Sequence, residues 1–237
     1  VFMRFLISYV VKRLLKSLPK WFMSTFIVIL GSYSAELHAQ RYYGPLAQKI
    51  DDRFRYYALH LPVDVQYRQQ IPLVLFLHGG GGSAKQAERT YGWVEKARAA
   101  GFAVAFPEGV ENSGLLGMRT WNAGSCCNYA VRNAIDDVGF IKALLSEIER
   151  NYPQLDTRQV YVTGMSNGAM MAYRLACELP ERIRAIAPVA GSMGYEGLCA
   201  AQGVSLLHIH SKLDEHVPFA GGEGVAGNNF PPAINGI

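Results

Sequence analysis

Histidine is scarce in this chain of 237 residues: there are six, and none follows His216. Cysteine is scarcer, with four, all between positions 126 and 199. No Cys or His ligand pairs fall at finger-like spacing, so no metal site is expected. Charged residues make up 18% against 50% apolar, a balance that excludes a disordered chain and fits a globular domain with a large core. No uninterrupted apolar stretch reaches the ~20 residues of a membrane-spanning helix. The nearest, "WFMSTFIVIL" at 21–30, is broken by Ser24 and Thr25 and followed by Gly31. Internal repeats and low-complexity tracts are missing too, and no Walker lysine stands at the required distance from a glycine run.

What is present begins with an unusual first segment. Arg4, Lys12, Arg13, Lys16 and Lys20 precede that apolar run, and the small-residue stretch "GSYSAELHA" follows it. This is the order of a secretory signal peptide rather than a retained anchor, with cleavage after Ala39 or Ala35. The expected organisation is therefore a signal over 1–39 and one domain over 40–237, secreted and without a stable membrane partner once cleaved. The formal charge of +4 resides wholly in the first segment, since eighteen basic and eighteen acidic residues remain beyond it. The pI of 8.8 is then no argument for a nucleic-acid partner. Export makes disulfides the natural state of Cys126, Cys127, Cys177 and Cys199. Adjacent Cys126 and Cys127 are expected to be too constrained to pair with each other, so that each seeks a distant partner.

Strand and helix patterns alternate from there on. "FRYYALHLPVDV" (54–65) reads as a first strand, and the unbroken apolar run at 71–82 as a strand buried on both faces. A helix over 83–101 stops at Gly101, and a strand follows at 102–109. Residues 107–135 form a long aperiodic loop of the kind that carries function. The helix over 136–152 places Val138, Ile141, Leu144, Leu145 and Ile148 on one face, with Asp136 and Asp137 in structural roles at its positive end. Then come strand 159–164, helix 167–179, and strands 185–191 and 205–211. That order implies an α/β fold with a mainly parallel sheet and its chemistry at the carboxyl ends of the strands.

Three stretches at those ends carry candidate chemistry. "GGGGSA" after the strand at 71–82 satisfies a dinucleotide fingerprint, but the motif is weak alone and an exported protein rarely meets NAD, so no cofactor is expected. The alternative is an oxyanion loop, in which glycines let backbone N–H groups approach a substrate oxygen, with Gly80 as donor. His78 then satisfies local backbone groups rather than acting as a base. "GMSNG" at 164–168 sits between a strand and a helix, the context in which Gly-x-Ser-x-Gly presents its serine as a nucleophile. Ser166 is that serine, and the Asn167 N–H is a second oxyanion donor at the helix N-terminus. In "HIHSKLDEHVPFAGG" (208–222), Asp214 follows the serine in the chain order of a Ser–Asp–His triad. His208 and His210 share one strand face and read as buried strand histidines, while His216 lies too close to Asp214 in sequence to be assigned the base.

Taken in order, "LVLFLHGGGG", "TWNAGSCC", "DDVGFIKALL", "VYVTGMSNGAMMAYRLACELPERI", "IAPVAG" and "HIHSKLDEHVPFAGG" resemble the secreted poly(3-hydroxybutyrate) depolymerase-like and feruloyl or acetylxylan esterase branch of the α/β-hydrolases, over about residues 53–222. The resemblance implies a serine esterase acting through an acyl-enzyme, with Ser166 as nucleophile, Asp214 as acid, and N–H donors near Gly80 and at Asn167. It also implies a base in a Gly-His loop well downstream of Asp214. The chain reaches Ile237 before such a loop, so its C-terminal part is expected to be missing, leaving strand 205–211 as an exposed apolar edge. The implied substrates are hydroxybutyrate polyester, feruloyl or acetyl esters. Trp121 either lines the acyl pocket or is a core residue steadying its loop. The alternative function is a non-catalytic ester- or glycan-binding relic that lacks the triad histidine.

Overall fold

The computed structural model describes residues 41–199 and 201–233; the expected signal segment lies outside them. Among the described residues no helix is long and apolar enough to cross a membrane. The chain opens with β1 (Arg41–Pro45), β2 (Tyr56–His60), β3 (Ile71–Leu77) and β4 (Ala103–Pro107), followed by a small hairpin of β5 (Val110–Glu111) and β6 (Arg119–Thr120). It continues with β7 (Leu155–Met165), β8 (Ile183–Val189) and β9 (Ser205–Leu206), and a last hairpin of β10 (Gly222–Glu223) and β11 (Asn229–Phe230). Seven of these form one sheet in the order β1-β2-β4-β3-β7-β8-β9. β2 is antiparallel to both neighbours, and all pairs from β4 to β9 are parallel.

Alternation along β3 explains why its sequence is an unbroken apolar run. Leu73, Leu75 and Leu77 enter the larger core on one face of the sheet, whereas Val74 and Phe76 enter a second core on the other. With side chains pointing alternately to two buried faces, a polar residue has no solvated side to occupy. Helices α1 (Ala84–Thr90) and α2 (Trp93–Ala100) cover the second core with Ala84, Ala87, Val94 and Ala97. A short α3 (Asn128–Arg132) follows, and α4 (Asp137–Asn151) and α5 (Asn167–Glu178) cover the first core.

Several expectations are corrected. The single helix over 83–101 is two, because Gly92 adopts a left-handed φ of 69° and ends one helical direction before Trp93 starts the next. Ser83 caps α1 by accepting from the Gln86 N–H at 3.0 Å. The first sheet strand is Arg41–Pro45, ahead of the expected one. The strand foreseen at 205–211 is laddered only over Ser205–Leu206, with one further bridge from Ile209 to Val189. Leu207 and Ile209 are 62% and 48% exposed. Cys126 and Cys127 are joined to each other across a cis peptide bond, and Cys177 is joined to Cys199. The long-range partner is used up on the other side: Cys199 closes a loop onto the last turn of α5, leaving the neighbours in the 120–127 loop only one another.

α4 carries the buried face that its periodicity foretold, with Val138, Ile141, Leu144, Leu145 and Ile148 all buried. Asp136 caps it, accepting from the Gly139 N–H at 2.7 Å. Asp137 is fully buried and receives the Arg55 guanidinium at 2.6 Å and the Asn122 N–H at 2.7 Å. Arg55 in turn lies 4.1 Å from the Phe140 ring centroid. Asp137→Ala leaves that guanidinium buried and unpaired, which is expected to destabilise the protein by about 3–5 kcal/mol. Urea denaturation of the variant checks this, and a loss below about 1 kcal/mol contradicts the structural role.

Candidate active site

β7 delivers the chain to Ser166 at the carboxyl end of the sheet, and α5 departs immediately afterwards. The reversal is made in one residue. Ser166 has φ 52° and ψ −119°, a region that residues with a side chain rarely occupy and that costs on the order of 1–3 kcal/mol. Two hydrogen bonds hold it there: the Ser166 N–H donates to Val189 O at 2.9 Å, and Met170 N–H donates to Ser166 O at 3.0 Å. Steric fit supplies the rest. A Cβ at Gly164 would stand 2.7 Å from Leu77 O, and one at Gly168 would collide with the carbonyl oxygens of Leu77 and His78. Beyond the motif, a Cβ at Gly191 would lie 2.6 Å from Ser166 O, so the end of β8 must also be bare.

The glycine loop after β3 packs directly against this turn. A Cβ at Gly79 would sit 3.7 Å from the Ser166 Cβ, and one at Gly80 would sit 3.7 Å from the Asn167 Cβ. Gly81 N–H donates to Arg119 O at 2.7 Å and Gly82 N–H to Gly79 O at 2.9 Å, which fixes the loop's far side. The N–H groups of Gly80 and Asn167 have no acceptor among the described residues. The glycine loop is thus packed against Ser166 and Asn167, and the candidate donors Gly80 and Asn167 share this seam.

Trp121 and Asn167 lock loop and helix to each other. The Asn167 side chain accepts from Trp121 N–H at 2.7 Å and donates to Trp121 O at 3.1 Å. The Trp121 indole N–H donates to His78 O at 2.9 Å, and the whole side chain is buried. Of the two readings of Trp121, the core one is observed. Cys126 Sγ lies 3.9 Å from the Asn167 amide nitrogen, which places the vicinal pair at the back of the same clamp. His78 is fully buried: its Nδ1–H donates to Gly79 O at 2.8 Å and its Nε2 accepts the Gly109 N–H at 2.9 Å, a pattern that assigns the neutral tautomer. Burial pushes its pKa down to about 4, so the nearby Glu108 carboxylate, at 3.8 Å, faces a neutral ring. The expectation that His78 satisfies backbone groups matches this geometry.

Asp214 stands apart, on the loop after β9, with no hydrogen bond to Ser166 among the described residues. Its Oδ1 accepts the N–H groups of His216 and Val217, both at 2.9 Å. Its Oδ2 lies 3.2 Å from His210 Nε2, which also donates to Val217 O at 2.8 Å. Behind it runs an oriented chain that the sequence reading missed. Tyr173 O–H donates to His208 Nδ1 at 2.6 Å, and His208 Nε2 donates to His210 Nδ1 at 3.1 Å. Burial, and then the neighbouring His210, lower the His208 pKa and favour the neutral His208 ring this direction requires. The i, i+2 spacing announced a shared strand face, but nothing local pointed to Tyr173 on α5.

Comparison with known proteins places these features in a lineage. The family described as Esterase PHB depolymerase matches residues 55–220. The chain is 37% identical to a protein named putative esterase NocK of Nocardia uniformis subsp. tsuyamanensis, over 60% of this chain and 39% of that one. It is 32% identical to feruloyl esterase B of Piromyces equi, over 64% of this chain and 27% of the relative. The chain therefore spans well under half the length of these curated relatives. Among solved structures, the acetyl xylan esterase from Aspergillus awamori superposes with a TM-score of 0.53 at 18% identity, covering 67% of this chain and 58% of that one, a likeness of fold.

The buried neutral ring of His78 makes stability depend on pH. An ordinary histidine pKa of 6.5 in the unfolded chain against about 4 in the fold means that the unfolded state binds the proton more tightly. The contribution is complete above pH 6.5 and is lost as the pH falls toward 4, by up to about 3 kcal/mol. Urea denaturation between pH 7 and 4 is expected to show a shallower decline in His78→Gln than in the native protein; identical slopes contradict the assignment.

Proposed function

The chain belongs to the esterase PHB depolymerase family, and on that footing we propose that it is an exported serine esterase, cleaving carboxylic esters through an acyl-enzyme. The observation that carries this reading is the strained Ser166, held at φ 52° beside two unengaged N–H groups. In the first half-reaction the Ser166 Oγ adds to the ester carbonyl carbon while a base takes its proton. The Gly80 and Asn167 N–H groups receive the negative charge that develops on the carbonyl oxygen; removing one such donor costs ~10²–10³ in kcat. Collapse expels the alcohol with the proton returned by the base, and water repeats the sequence on the acyl-enzyme to release the acid.

Asp214 is the triad acid in this reading, and its two N–H bonds fix the orientation of its carboxyl group. The base is the histidine of a Gly-His loop downstream of Asp214, as the family resemblance implies. His78 and His208 are engaged elsewhere, His210 spends its Nδ1 on His208 and its Nε2 on Val217 O and Asp214 itself, and exposed His216 offers Asp214 its backbone N–H. Residues 1–39 act as the export signal and 40–237 belong to the hydrolase domain. The Cys177–Cys199 bridge supports an oxidising destination. Hydroxybutyrate, feruloyl and acetyl esters all present the same carbonyl to this chemistry.

In the protein expressed as its whole gene encodes it, Ser166→Ala is expected to abolish turnover of p-nitrophenyl acetate and to leave chemical denaturation nearly unchanged. Turnover that persists at the native rate rejects the proposal.

A further inference from the structure

Val217 O is a carbonyl oxygen and can only accept, so the His210 Nε2 that lies 2.8 Å from it carries a proton. The rest of the chain behind it follows from that proton. With a neutral His210 ring, Nδ1 is a lone pair, and His208 Nε2 at 3.1 Å supplies the hydrogen. His208 Nδ1 is then a lone pair as well, and the Tyr173 O–H at 2.6 Å fills it. Each donor in this arrangement meets an acceptor. Wherever an added proton settles in the pair, His208 Nδ1 ends up carrying a hydrogen, which points at the tyrosine oxygen and displaces the Tyr173 proton. Tyr173 is 3% exposed and its hydroxyl has no second acceptor among the described residues, so the displaced O–H becomes a buried donor without a partner.

The far end of the chain is Asp214. Its Oδ2 lies 3.2 Å from His210 Nε2, so one N–H spans Val217 O and the carboxyl group. The His210 side chain is wholly buried and that of Asp214 nearly so, which leaves little water to screen one from the other. The ionisable groups that contact the two rings among the described residues are Tyr173 from α5 and Asp214 from the loop after β9. Phe219 presents only its ring to His210, edge to face with centroids 5.8 Å apart. Burial pushes the Tyr173 hydroxyl up to about 12, so it keeps its proton to donate throughout the range in which histidines titrate. A triad carboxylate works by stabilising the imidazolium that forms on its base. A second imidazolium on its other side would offset that charge, whereas a neutral ring offers one N–H and leaves the charge in place.

We infer that Tyr173 is a positioning residue for the triad acid: through His208 it holds His210 as the neutral Nε2–H tautomer, so that no second imidazolium stands behind Asp214. The inference rests on Asp214 as the acid of the esterase reading above. It goes beyond that reading by giving Tyr173 and His208, which act only through His210, a part in the acid's electrostatics.

The test uses the protein expressed as its whole gene encodes it. Nitrogen-15 NMR of the histidine rings reads their protons without any turnover, and the pH profile of kcat/KM on p-nitrophenyl acetate reads the consequence. At pH 7 the native His208 and His210 are expected as neutral Nε2–H tautomers. Tyr173→Phe keeps the ring and removes only the donor, and it is expected to raise the pH at which the pair takes up a proton by about one unit. Its kcat/KM relative to the native protein is then expected to be about tenfold lower at pH 5 than at pH 8. A packing defect lowers both by the same factor. A charged pair or Nδ1–H tautomers at pH 7 in the native protein overturn the inference whatever the stability of the variant, and so does a variant-to-native ratio that is constant with pH. The expected tautomers in a native protein without turnover overturn the esterase reading, and with it the role of the chain, but not the arrangement of its protons.

Discussion

One residue held in a backbone conformation it would not choose organises the carboxyl end of the parallel strands in this molecule. At φ 52°, Ser166 turns the chain from β7 into α5 without a loop, so its hydroxyl stands at the rim of the sheet. The turn persists because β3 and β8 close on it from both sides, Leu77 O at distances that only glycine at 164 and 168 permits and Val189 O as acceptor of the Ser166 N–H. Sheet order is thus part of the site: β7 is central, between β3 and β8, and both neighbours supply the walls. An edge strand could not be restrained in the same way.

The second constraint is the seam between the glycine loop and α5. Loops rich in glycine have much conformational entropy to lose on ordering, and here it is lost before any ligand arrives. Trp121, Asn167 and His78 form a closed set of buried hydrogen bonds that fixes Gly79–Gly80 against Ser166–Asn167. Charge stabilisation in such a pocket needs no reorganisation at the moment of reaction, which is what gives oriented N–H groups their large effect. The Tyr173–His208–His210 chain does the corresponding work for the loop that carries Asp214.

How much of this could be read from the residues depended on range. Gly164, Ser166 and Gly168 encode their turn locally, and β3 encodes its two buried faces in seven consecutive residues, so both were legible. The α1–α2 break hung on Gly92 alone, and a single glycine inside a helical pattern is ambiguous. β1 is short and polar on its exposed face and becomes a strand only by pairing with β2. The disulfide partners, the Trp121 clamp and the bare end of β8 at Gly191 are all tertiary matches between segments more than 20 residues apart, except for the vicinal cysteines, whose pairing is the choice left after Cys177 meets Cys199. Only the pattern of the whole family carried information at that range.

The central claim is that a tetrahedral oxygen on Ser166 lies between the N–H groups of Gly80 and Asn167. A crystal structure of the protein inhibited by a fluorophosphonate measures this directly. The account requires a phosphorus–oxygen bond to Ser166 Oγ and a phosphonyl oxygen about 2.7–3.1 Å from both nitrogens. Phosphonylation of a different side chain, or an adduct on Ser166 whose oxygen points away from Gly80 and Asn167, contradicts it.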